Sequence, residues 1–394
     1  MHHINNKNRL KWIDWLKFLA IIGVIGIHLS SSLLRNDILF SFNWFEGVFA
    51  ESVCRFAIIL FIMASGYLLL RKQQSIYVIP FRIKRILLPF SFWLITYGLI
   101  KVFFKGDLGT SWSIIDMMEY IFMGFLNPTN ISIQFWYVYM ILGLYIFSPI
   151  LSRWIRSAPI KEIEYLLLIW IMISIFQFFD MNSILLDYMR YFTGAIGYFV
   201  LGYYLTIKNI PILHDRKFGL KLFILGTLIT FIGTVSLSYL FSGQSLVFLQ
   251  LGDITPGACL QGIGLFIIIF NTDFNKIDMK LNDFAVKISS SSYGIYLVNI
   301  LVINLLEKFN ILILKGFTLF NIVIYTFIVL IISYIIINIM SKIPIIKHFS
   351  GKTWHSKLWK MHNNTNHFHF LTPNYKKNLC FKNNKIKLII KNEE

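Results

Sequence analysis

Apolar runs of about 20 residues recur along this chain, each close to the length an α-helix needs to cross a hydrocarbon core about 30 Å thick. Ten are legible, at about 13–34, 47–70, 84–104, 133–151, 163–179, 188–207, 218–241, 255–271, 289–309 and 318–340. In lipid every backbone N–H and C=O must be satisfied within the protein, so runs of this length are expected to be helices. Composition agrees. Of 394 residues 56% are hydrophobic and only 14% charged, where soluble domains carry about 25% charged residues. The expected fold is all-α: a polytopic membrane bundle of about ten transmembrane helices. The stretch 111–126 is also apolar but carries Asp116 and Glu119, and is expected to be an interfacial helix.

The connectors set an orientation. Basic residues gather in alternate loops, namely the N-terminus, Arg71–Arg85, Arg153–Lys161, Lys208–Lys221, Lys276–Lys287 and the tail. The intervening loops are poor in Lys and Arg, so the positive-inside rule puts both termini in the cytoplasm. A membrane domain is expected over 1–345 and a basic cytoplasmic tail over 346–394. The net charge is +18. Half of it lies from Lys342 onward, where anionic lipid headgroups are the expected partner and nucleic acid is not. The first apolar run follows Lys7, Arg9 and Lys11 but lacks a small-x-small cleavage site, so it is expected to be a retained span. Three scattered cysteines give no disulfide framework. The irregular tail histidines (His348, His355, His362, His367, His369) give no metal-ligand spacing.

Of nine histidines only His28 lies inside a long apolar run. An ionisable group there is costly and by default functional, although a core histidine bonded to a backbone carbonyl is the plain alternative. Asp14, Lys17, Ile21, Val24 and His28 share one helix face. His28 lies about 16 Å along the helix from Lys17, on the outer half of the span. In the second run Glu51 and Arg55 are four apart and can pair, as a cavity-lining pair or as a structural one near the outer headgroups. Glu51 is also placed to orient the His28 ring. Arg82 and Arg85 open the third run. They read as phosphate ligands beside a helix N-terminus or as the positive-inside signal alone.

Gln134, Trp136 and Tyr137 fall at the outer interface, where aromatic belts are routine. Asp187 and Arg190 begin the sixth run, with Gly194 and Gly197 allowing close helix approach. Tyr293, Tyr296 and Asn299 lie within about two turns of the ninth. A buried Asn there must find a partner.

The stretch WIDWLKFLAIIGVIGIH resembles the first span of the acyltransferase-3 family of integral membrane O-acyltransferases. LFIMASGYLL, FRIKRILLPF, FWYVYMILGLYIFSPIL, YFVLGYYL and SSYGIYLVN are similar to further family segments, in the same order, over roughly residues 9–345. The length resembles members without an appended extracytoplasmic domain. The resemblance implies transfer of acetyl, or another short acyl group, from cytoplasmic acyl-CoA. The acceptor would be a hydroxyl of a surface glycan or lipid-linked saccharide, at a bacterial plasma membrane. Acetyl-CoA would be a donor substrate, with no resident cofactor. His28 matches the family's essential histidine, with Glu51 and Asn299 as catalytic candidates beside it. Arg82 and Arg85 match the basic residues where coenzyme A is thought to sit, with Lys17 nearby. Arg55, Trp136, Tyr137, Arg190 and Tyr293 are candidate substrate contacts.

Three positions depart from the family pattern. Lys17 replaces an arginine, Gln134 stands where histidine is frequent, and Asn299 stands where a histidine commonly closes the ninth-span motif. Two other readings compete: a glycan exporter, against which no inverted repeat is visible, and an inactive member acting as a scaffold.

Overall fold

The computed structural model describes residues 10–104, 113–179, 184–240, 255–312 and 318–353, with backbone alone at 381–382 and 385–386. The side chains of 35–36, 103–104, 176–179 and 184–193 are outside that description. The helices are α1 (Lys11–Asn36), α2 (Phe42–Cys54), α3 (Phe56–Leu70), α4 (Ile79–Phe104), α5 (Ile114–Leu126) and α6 (Trp136–Ser157). There follow α7 (Ile160–Phe179), α8 (Ile184–Ile207), α9 (Arg216–Leu240), α10 (Pro256–Phe270), α11 (Met279–Lys308) and α12 (Thr318–Met340).

Among the described residues, seven helical segments are long and apolar enough to cross a membrane: Lys11–Leu34, Phe42–Leu70, Ile76–Val102, Ile133–Ser157, Arg216–Leu240, Met279–Lys308 and Thr318–Met340. The protein is a multi-pass membrane helix bundle. The other three runs expected from sequence also form helices but fall short of that measure. α7 opens on Lys161, Glu162 and Glu164, α8 is broken by non-helical backbone at Gly194, and α10 has only 15 residues.

α5 forms where an interfacial helix was expected. Ser113 caps it in a reciprocal box with Asp116, which satisfies two N-terminal amides. Those bonds hold the exposed Asp116 carboxyl below the usual carboxylate range. Its Ile114, Ile115, Met118 and Phe122 are exposed, as an apolar face laid against lipid would be.

Polar bonds fix how the helices run. Asp14 accepts from the Ser289 hydroxyl at 2.7 Å, Trp15 Nε1 donates to Asn282 at 2.8 Å, and Ser32 donates to Glu307 at 2.5 Å. Positions near the start of α1 meet the start of α11, and its end meets the end of α11, so the two helices run parallel. α4 runs the same way, since Tyr293 donates to the Ile86 carbonyl at 2.9 Å and Tyr97 meets Leu297. α2 and α3 return alongside α1. A Cβ at Gly26 would lie 2.7 Å from Cys54 Sγ, and one at Gly23 2.9 Å from Ala57 Cβ.

Close packing elsewhere rests on backbone touching backbone. A Cβ at Gly66 would lie 1.8 Å from the Phe199 carbonyl oxygen, and one at Gly202 2.2 Å from that of Met63. Small residues let helices approach in lipid, where no hydrophobic force separates helix from tail. Gly197 is pressed against the Trp170 ring, but a Cβ at Gly194 would meet nothing within 4 Å. The expectation of close approach at Gly194 is corrected: it supplies the bend in α8, and Trp170 Nε1 satisfies its carbonyl at 3.1 Å.

The chain divides into two compact units, Met1–Lys352 and Thr353–Glu394. The first extends through a short 3-10 turn, Ile346–Phe349. There Phe349 stacks on Phe92 and Lys352 donates to Asn338 at 2.9 Å. Partial burial and nearby Lys342 lower the Lys352 ammonium below its ordinary pKa. In the second unit the described residues form one two-residue antiparallel ladder, Phe381–Lys382 with Lys385–Ile386.

Candidate active site

His28 faces α11, where its Nδ1 lies 2.6 Å from Asn299 Oδ1. The amide on the other side of that contact is held firmly. Asn299 is fully buried, and its Nδ2 donates to the Ile295 and Tyr296 carbonyls at 3.2 and 2.7 Å. Reversing the amide would set its oxygen against two carbonyl oxygens, so Oδ1 must face the ring. An amide oxygen only accepts, so Nδ1 carries the proton and, in the neutral ring, Nε2 carries the lone pair. The residue that lacks a base of its own therefore fixes the tautomer of the residue that has one.

Glu51 is buried on α2 and takes two donors on Oε1, the Arg55 guanidinium and Ser31 Oγ at 3.1 Å. The expected Glu51–Arg55 pair forms. It sits where α2 gives way to α3, with Arg55 itself at the junction. Ser31 lies three residues beyond His28, so this pair adjoins the far end of α1. The group that meets Nδ1 is Asn299, and the contacts seen for Glu51 anchor Arg55 and Ser31.

The basic end is built differently. Arg82 donates to the Gln74 side-chain carbonyl. Gln74 is held by Ser152 Oγ on its backbone N–H at 3.0 Å, and by its own donation to the Leu69 and Lys72 carbonyls at 2.7 and 2.9 Å. Arg82 Nη1 is buried with no hydrogen-bond partner among the described residues. Arg85 is more exposed. Both guanidinium groups lie near the Tyr145 hydroxyl. Tyr145 and Tyr137 lie in turn near Tyr293, the residue bonded to Ile86.

Local sequence explains the shape of α6 here. Pro149 has no N–H for the Tyr145 carbonyl, and Ser148 Oγ donates to that carbonyl instead at 2.8 Å. Lys17 is half-buried on α1, one turn past Asp14.

Between the two ends stands an aromatic and amide cluster. Tyr137 packs its ring 5.1 Å from that of Tyr296, and the Tyr296 hydroxyl donates to the Gln134 carbonyl. Gln134 is buried, where an interfacial position was expected. Trp136, by contrast, is 37% exposed at the start of α6. The side chains of Asp187 and Arg190 lie outside the described residues. Gln74, Tyr97 and Tyr145 were not singled out in the sequence. The only signal for Gln74 is its place in a basic connector.

The multi-pass bundle thus sets an imidazole–amide pair between the parallel α1 and α11, with Arg82 and Arg85 near the start of α4. Residues 10–338 match the family described as acyltransferase domain. The chain belongs to this acyltransferase-3 family and is a membrane acyltransferase. No curated protein and no solved structure matches it significantly.

Proposed function

We propose that this protein is an O-acyltransferase that moves an acetyl or other short acyl group from acyl-CoA to a hydroxyl of a surface glycan or its lipid-linked precursor. The observation that carries this reading is the His28–Asn299 pair, which leaves Nε2 as the basic nitrogen of the neutral ring. Nε2 takes the proton of the acceptor hydroxyl as its oxygen attacks the thioester carbonyl. The tetrahedral intermediate collapses, the C–S bond breaks, and the imidazolium returns the proton to the leaving thiolate.

Arg82, Arg85 and Lys17 hold the donor's phosphates. The pantetheine arm then runs along α1 toward His28, about 16 Å away by helical rise from Lys17. Asn299 is a positioning residue in this scheme, and Glu51 seats Arg55 near the acceptor side. Trp136, Tyr137, Arg190 and Tyr293 belong to the acceptor and channel walls. Ten spans with both termini cytoplasmic, in a bacterial plasma membrane, suit this transfer. The parallel α1, α4 and α11 fit the first, third and ninth of them. An exporter is the competing reading, and the family match favours the transferase.

His28→Ala should lower transfer from isotopically labelled acetyl-CoA by about 10²–10⁴-fold, with the bundle still folded. Mass spectrometry of surface glycans from cells carrying the variant should show the polymer exported without its acyl group. Unchanged acylation would overturn the proposal, and polymer trapped inside would favour the exporter.

A further inference from the structure

The turn of α11 that carries Asn299 is clamped by one residue from another helix. Tyr97 of α4, only 4% exposed, donates its hydroxyl proton to the Leu297 carbonyl at 3.1 Å and accepts from the Leu301 N–H at 2.7 Å. Leu297 and Leu301 are the carbonyl and amide that a regular helix pairs with each other, and Asn299 lies midway between them. A side chain engaging both members of such a pair fixes the local path of the helix. Gln134 Nε2 adds a third bond to the same hydroxyl at 3.3 Å. One donor and two acceptor sites are all a phenol has, so this hydroxyl is fully used. Gln134 accepts in turn from Ser132 Oγ. No part of the clamp touches His28 in the bonds described.

We infer that Tyr97 is a positioning residue for the reactive pair: by holding the Leu297–Leu301 turn it sets Asn299, and through Asn299 the tautomer and angle of the His28 ring. A hydroxyl with only a fold-stabilising role would leave the imidazole of the folded protein unchanged. One acting through Asn299 would not.

Tyr97→Phe keeps the ring, which packs edge-on to Phe135 at 5.4 Å, so the folded bundle should survive while the three bonds are lost. ¹⁵N-histidine NMR of the full chain in detergent, with the His28 signals assigned by their absence in His28→Ala, reads the tautomer directly. The native protein should show Nδ1–H alone and Tyr97→Phe a mixture of both forms. A single unchanged tautomer in Tyr97→Phe would overturn the inference.

The kinetic arm rests on the proposed acyl transfer, whereas the spectroscopic arm does not. Tyr97→Phe should lower kcat roughly tenfold with KM for acetyl-CoA unchanged, and add nothing when combined with Asn299→Ala. Multiplying effects, or an unaltered kcat, would overturn it. A native protein with no transfer activity would sink the proposed function, and the NMR result would still decide the role of Tyr97.

Discussion

The two ends of this site are finished to different degrees. At the His28 end every nitrogen and oxygen of the Asn299 amide has a protein partner, and the turn beneath it is held by Tyr97. At the Arg82 end Gln74 is the guanidinium's partner among the described residues, and Nη1 is buried there without one. Burying a donor unsatisfied costs roughly 1–3 kcal/mol, which a bound phosphate oxygen would offset. A reacting group gains from being fixed before substrate arrives. A binding group must keep bonding capacity in reserve for its ligand.

The sharpest way to break this contrast is at Asn299. Asn299→Ala removes the acceptor from Nδ1 and frees the ring to take either tautomer. The fall should appear in kcat, on the order of 10–100-fold as for other groups that orient a functional histidine, with KM for acyl-CoA little changed. Asn299→Asp should retain more activity, because a neutral carboxyl there keeps one oxygen to accept from Nδ1–H and one O–H to donate to the Tyr296 carbonyl. Equal losses in both variants would mean that the amide matters for the backbone carbonyls of Ile295 and Tyr296, not for the ring.

Arg82 should fail in the opposite parameter. Arg82→Ala is expected to raise KM for acetyl-CoA roughly tenfold, the worth of one charge-assisted bond to phosphate, and to leave kcat near native. Arg82→Lys should recover only part, since an ammonium lacks the planar fork. A loss confined to kcat would place Arg82 with the chemistry and erase the distinction between the two ends.

Much of the bundle could be read in advance because lipid imposes a simple rule on length and hydropathy. His28 stood out as the only histidine inside a long apolar run, and its spacing from Lys17 followed from helix geometry. The Glu51–Arg55 pair was legible for the same reason, being local to one helix. Asn299 was visible as a buried polar residue, but its partner was 271 residues away. Helical periodicity says nothing about which faces meet. Tyr97 was one of 19 tyrosines, and aromatic residues are too common in such helices for one hydroxyl to announce itself. The bend at Gly194 was read as close packing because glycine serves both ends and spacing does not separate them. Interfacial belts made a bland prior for Gln134, which the structure instead buries against Tyr97 and Leu297.

The smallest effect expected is the most discriminating for the basic end, and it falls on Gln74. Its side chain accepts from Arg82 while its own amide is tied to Leu69 and Lys72, so it holds the guanidinium without facing the donor. Gln74→Ala leaves the arginine charge in place but lets it swing. KM for acetyl-CoA should rise only a few-fold, well short of the Arg82→Ala effect, and the double variant should match Arg82→Ala alone. Kinetics over a range of acetyl-CoA concentrations would measure both. If Gln74→Ala instead equalled Arg82→Ala, position and not charge would dominate there. The basic end would then be as preorganised as the histidine end, its unsatisfied nitrogen notwithstanding.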